Sequence, residues 1–160
     1  MTDLPSLIEA LADRGVRFIV VGGIAGIAHG AARATFDIDC VYERSPDNVD
    51  RLVEALAPFS PTLRDAPLEL PFRLDSATVR AGLNFTLDTS AGPIDLLGEV
   101  PGGGDHARLL PHTVEIEVFG RRCRVVALRR LIELKRAAGR PKDFEAIAEL
   151  EALEEERSSN

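Results

Sequence analysis

The chain has 160 residues, 45% of them apolar and 28% charged, with a net charge of -7. That length suits one compact domain with a core of its own, and no apolar run reaches the length of a membrane span. The acidic total argues against a nonspecific nucleic-acid binder, and the amphipathic, acidic N-terminus does not read as a signal peptide, so a cytoplasmic location with no membrane partner is expected.

Leu4, Leu7, Ile8 and Leu11 recur at helical spacing, which predicts a helix over 4–14 stopped by Gly15. Residues 16–21, β-branched or aromatic apart from Arg17, read as a buried strand ended by Gly22-Gly23. A short helix starts at those glycines, and 35–42 return to strand. Ser45-Pro46-Asp47 marks a helix start, with Ser45 as N-cap, and that helix runs to about Ala57. Residues 58–71 are rich in proline and turn residues and are expected to be loop. A short helix follows over DSATVRAG, then a hairpin of 83–88 with 93–97, and a flexible PGGGD loop at 101–105. A second hairpin joins 114–118 to 122–126. Residues 128–138 form a helix ended by Gly139, and Pro141 or Lys142 opens the last helix. Cys40 and Cys123 match no metal-ligand spacing and read as reduced thiols. This order predicts an α+β domain over 1–157, a small mixed β-sheet with helices packed against one face, and a disordered tail at 158–160.

Charge is unevenly distributed. Residues 121–142 hold nine Arg or Lys and one Glu, a local charge of +8 that leaves -15 on the remainder. Such a segment reads either as an anion site or as a solvated helix face with ordinary ion pairs.

Asp37 and Asp39 carry the chemistry. On a strand, side chains two residues apart share a face, so both carboxylates project together while Phe36, Ile38 and Cys40 bury on the other side. Paired carboxylates repel unless a cation neutralises them, and Mg²⁺ prefers hard oxygen ligands. The preceding strand–Gly-Gly–helix unit allows a phosphate to approach the backbone closely. It lacks both the G-x-G-x-x-G and the Gly-Lys-Ser/Thr patterns. A third carboxylate would suit a general base and a second ion. Asp88 and Asp95 are the candidates, and Asp95, flanked by Ile94 and Leu96, is preferred.

VGGIAGIAHGAARATFDID resembles the signature of the DNA-polymerase-β-like nucleotidyltransferase superfamily, a strand ending in Gly-Gly or Gly-Ser, a helix, and D-x-D on the next strand. His29-Gly30, Arg33 and Thr35 ahead of Asp37, with LIELKRAAGRPKDFEAIAEL later, are most similar to minimal members, including the abortive-infection toxin branch of type IV toxin–antitoxin systems. The resemblance covers roughly 16–42 and 93–150, and 58–82 match nothing. It implies an enzyme that moves a nucleoside monophosphate from an NTP to a hydroxyl acceptor: an RNA 3′ end such as tRNA, a protein or a small molecule. By the same resemblance, Asp37, Asp39 and Asp95 would bind two Mg²⁺ ions, and Gly22 and Gly23 would hold the phosphates. Lys135, Arg140 and Lys142 would contact the triphosphate. Arg33 would pair with Asp37 or touch substrate, Asp143 would cap the last helix, and His29 would be structural. The commoner Gly-Ser is here Gly-Gly, which removes one hydroxyl from the phosphate site. A chain this short leaves little room for a substrate domain, so a homodimer or an antitoxin partner would complete acceptor capture. The competing reading is a catalytically silent binding module that pairs with another protein. A phosphohydrolase is disfavoured because His29, His106 and His112 form no metal-ligand pattern.

Overall fold

A computed structural model describes residues 2–67 and 69–159. The helices are α1 (Leu4–Asp13), α2 (Gly22–Ala28), α3 (Pro46–Leu56), α4 (Ser76–Ala81), α5 (His106–Leu109), α6 (Leu128–Ala138) and α7 (Phe144–Ser158). The strands are β1 (Phe18–Val21), β2 (Ile38–Tyr42), β3 (Thr62–Leu63), β4 (Phe85–Thr89), β5 (Gly92–Leu97), β6 (Thr113–Val118) and β7 (Arg121–Val126). They form one mixed sheet in the order β3-β4-β5-β2-β1-β7-β6. The two predicted hairpins, β4–β5 and β6–β7, are antiparallel, as is β1–β2. Two parallel pairings, β2 with β5 and β1 with β7, join the N-terminal unit to each hairpin.

The centre of the sheet is covered on both faces, which corrects the one-faced expectation. All four residues of β1 are buried, and successive strand side chains point to opposite sides, so each face has its own cover. Helices α1, α3 and α4 pack on one another, and α2, α6 and α7 form a second group. Leu4, Leu7, Ile8 and Leu11 are buried from α1, as their spacing predicts.

Four local expectations change. Ser45 does not cap α3 with its side chain; its hydroxyl donates to Glu43 Oε1 and accepts from Arg17 Nη2 at 3.0 Å. The segment 58–71 is not all loop, because Thr62 and Leu63 pair with Asp88 and Leu87 as β3. A two-residue strand has no periodicity to reveal it; its partner strand creates it. The glycine loop is closed rather than free, with Val100 N–H donating to Gly104 O at 3.0 Å, and Asp105 then caps the unpredicted α5 by accepting from Arg108 N–H. A 3₁₀ turn at Pro141–Asp143 delays the last helix to Phe144. That helix includes Ser158, where a disordered tail was expected to begin, and Asn160 lies outside the described residues. Among the described residues, no helix is long and apolar enough to cross a membrane.

Candidate active site

Register assembles the carboxylates. β1 ends with Val21 opposite Asp39, and β2 sets Asp39 directly beside Asp95 of β5. Neighbouring strands run about 4.8 Å apart, so two in-register side chains on one face must meet. Asp37 stands just ahead of β2 rather than on it, yet one carboxylate oxygen from each of Asp37, Asp39 and Asp95 lies within 4.8 Å of the others. Ile38 and Cys40 are buried behind them, as expected. Phe36 is not: it is 73% exposed, because the strand pleat that would have turned it inward begins two residues later.

The cluster is only partly compensated, by Arg64 at Asp95 and by Lys135 near Asp39. Burial, reinforced by the charges of Asp37 and Asp95, pushes the Asp39 carboxyl up to about 7, with Lys135 opposing the shift. Asp95 Oδ1 is buried with no hydrogen-bond donor aligned on it; Arg64 Nη2 stands 3.0 Å away as an ion pair. Arg64 is held there by Leu87 O at 2.8 Å and Asp88 Oδ1 at 3.2 Å. Asp88 therefore faces Arg64 and lies outside the cluster. Three converging hard oxygen donors, one of them driven toward protonation by burial and its carboxylate neighbours, fit a divalent cation of the Mg²⁺ type.

Gly22 is where backbone meets carboxylate. Its φ is +68°, in the left-handed region, and a Cβ added there would overlap Asp39 Oδ2. A cavity of about 320 Å³ opens beside it, lined by Gly22, Asp39, Asp95, Lys135 and Arg140, with an apolar wall that includes Leu131 and Leu134.

The basic residues expected around phosphates separate into two groups. Lys135 and Arg140 line the cavity, and both are tied to Asp143, which is 4% exposed, at 3.8 and 2.8 Å. Asp143 thus holds two cations in place and makes no side-chain cap for α7, a correction to the expected capping role. Lys142 stands outside that cavity, on a shallow surface it shares with Thr35, Phe36, Asp37, Arg64 and Asp88. Arg33 pairs with neither Asp37 nor the cavity; it reaches Glu145 at 3.0 Å and Glu149 at 3.4 Å on α7. Most of the +8 segment is likewise ion-paired: Arg121 with Asp13, Arg122 and Arg124 with one shared Glu115, Arg129 with Glu154, and Arg136 with Glu151. The segment is mainly a solvated, ion-paired face.

His29 is 6% exposed, with Nε2 2.7 Å from Val126 O and Nδ1 3.3 Å from Arg157 Nη1. A carbonyl accepts only, so Nε2 carries the proton and Nδ1 accepts. Burial holds this ring below its ordinary value, and the neutral imidazole joins α2, β7 and α7. Arg64 escaped sequence reasoning because it follows a strand too short to predict, in the stretch that matched nothing. Thr35 belonged to the recognised motif, but the motif assigned it no role.

No family-level sequence profile matches the chain, and no curated protein sequence matches it. Solved structures do. TM1012 from Thermotoga maritima, described as a candidate nucleotidyltransferase, superposes with a TM-score of 0.58 at 16% identity, over 91% of this chain and 88% of its own. ANT(2″)-Ia in complex with adenylyl-2″-tobramycin gives 0.57 at 16% identity, over 98% and 93%. A solution structure of ANT(2″)-Ia, described as an antibiotic-resistance factor, gives 0.52 at 16% identity, over 98% and 89%. At such identity the likeness establishes the fold: the chain has the architecture of these nucleotidyltransferase structures.

Proposed function

We propose that the chain is a Mg²⁺-dependent nucleotidyltransferase that moves a nucleoside monophosphate from an NTP to a hydroxyl acceptor. The observation that carries this reading is the convergence of Asp37, Asp39 and Asp95 beside Gly22, with Lys135 and Arg140 across the same cavity. The three aspartates would hold two Mg²⁺ ions, which when bound supply charge stabilisation at the transferring phosphoryl group. Gly22 lets the phosphates approach the backbone, while Gly23 lies outside this cavity's lining, against Thr35. Lys135 and Arg140, oriented by Asp143, bind the phosphates that leave as pyrophosphate. Asp95 accepts the proton as the acceptor oxygen bonds to the α-phosphorus and the bond to the β-phosphate oxygen breaks. Arg33 is engaged by Glu145 and Glu149, so the reading gives it no phosphate contact, whereas Lys142 shares a surface with Asp37 and keeps its proposed one.

Three acceptor classes belong to this reading. The tobramycin adduct in the ANT(2″)-Ia structure makes a small polyhydroxylated molecule one of them; a tRNA 3′ end and a protein hydroxyl are the others. The neutralised basic face gives no preference to a polyanion. A toxin role, with an antitoxin partner, is the finer form of the proposal, and growth arrest on expression, relieved by Asp39→Ala, would support it. The direct test incubates the protein with each labelled NTP, Mg²⁺, and tRNA, cell protein or aminoglycoside. Label should enter one acceptor and be lost in Asp39→Ala. Folded protein that transfers no label and gains no thermal stability from any NTP with Mg²⁺ would leave the silent binding module as the better account.

A further inference from the structure

The two glycines after β1 do different jobs. Gly22 needs its left-handed backbone, whereas Gly23 is not among the positive-φ residues and its conformation is open to any side chain. What excludes a side chain at Gly23 is Thr35: a Cβ built there would lie 2.6 Å from Thr35 Oγ1 and 2.9 Å from Thr35 Cβ. The threonine hydroxyl fills the space where a residue at position 23 would extend. From that seat Oγ1 lies 3.3 Å from Asp37 Oδ1 and 3.4 Å from Asp37 O. Asp37 precedes β2 and lacks the ladder bonds that fix Asp39 and Asp95. Its position therefore depends on local contacts, and among the described residues Thr35 makes the side-chain contact that reaches its carboxylate.

We propose that Thr35 is a positioning residue for the metal site, its hydroxyl seated in the space that Gly23 leaves open. The small Gly23 admits that hydroxyl, and the hydroxyl donates to Asp37 and aims its free carboxylate oxygen at the cation shared with Asp39 and Asp95. This rests on the metal reading above. Residues that orient metal ligands typically cost 10–100-fold in metal affinity when removed.

A hydroxyl swap tests it, with Mn²⁺ as the probe and no nucleotide present. Carboxylate sites that take Mg²⁺ also take Mn²⁺, whose free concentration is read by paramagnetic resonance. Thr35→Val and Thr35→Ala should weaken Mn²⁺ binding about tenfold or more, and Thr35→Ser should stay within about twofold of the parent. Gly23→Ser alone, which pushes Thr35 aside, should also weaken binding. The double variant Thr35→Ala with Gly23→Ser puts a hydroxyl back into the same space and should recover most of the loss. Metal-free melting temperatures close to the parent's show that each variant is folded. Parental affinity in Thr35→Val, or a double variant no better than Thr35→Ala, overturns the positioning role and leaves the metal site standing. A parent chain that binds no Mn²⁺ overturns the metal reading itself.

Discussion

Asp39 and Asp143 are both carboxylates withdrawn from solvent around one cavity, and their surroundings are opposite. Asp143 is the more buried, yet Arg140 and Lys135 neutralise it at 2.8 and 3.8 Å. Asp39 has Asp37 and Asp95 for neighbours, and its carboxyl is pushed up to about 7. A charge compensated within the chain is structural, because the fold has already satisfied it. A charge crowded by its own sign is held in place by the fold for something that arrives from outside.

The sharpest way to break this contrast is to neutralise each carboxylate. Asp39→Asn should lower nucleotidyl transfer by about three orders of magnitude or more, since a metal-held phosphoryl group loses several kcal/mol of charge stabilisation. Labelled product formation measures it, and near-parental transfer would place the chemistry elsewhere. Asp143→Asn should act on stability instead, lowering the free energy of unfolding by about 1–3 kcal/mol in denaturant titrations. Lys135 loses its buried partner, while the half-exposed Arg140 regains water. Nucleotide affinity should fall with it, as both cations lose their orientation.

The third expectation concerns pH in the metal-free protein. The folded value for Asp39 lies above the ordinary 3.8, so the folded chain keeps a proton that the unfolded chain releases. That contribution is fully present below about pH 4 and is lost as pH rises through about 7. Asp39→Asn removes the penalty, so at about pH 8 it should be more stable than the parent by up to about 4 kcal/mol, with the gap closing near pH 4. Added Mg²⁺ should reverse the ranking. A thermal melt series over pH, with and without Mg²⁺, decides this; a gap that does not change with pH would mean Asp39 is not crowded. The smallest effect belongs to Arg33→Ala. Its exposed ion pairs with Glu145 and Glu149 should be worth less than about 1 kcal/mol, and KM for the NTP should not move. A raised KM would return Arg33 to the nucleotide site.

The local pattern determined a good deal. Apolar spacing placed α1, the continuous run placed β1, and turn residues placed both hairpins, because each depends on neighbours a few residues away. Gly22-Gly23 and D-x-D marked the site for the same reason. Tertiary structure decided everything that depends on which strand lies beside which. The parallel β2–β5 register, not any spacing along the chain, brings Asp95 to Asp39 and leaves Asp88 with Arg64. Packing of α7 against the segment before β2 drew Arg33 away from Asp37, and a buried Asp143 gathered Lys135 and Arg140 to the cavity while Lys142 lines the neighbouring surface with Asp37. Charge counted along residues 121–142 left an anion site and a solvated, ion-paired face equally open; a side chain's charge acts on whatever the fold places next to it, and here that was mostly an opposing carboxylate.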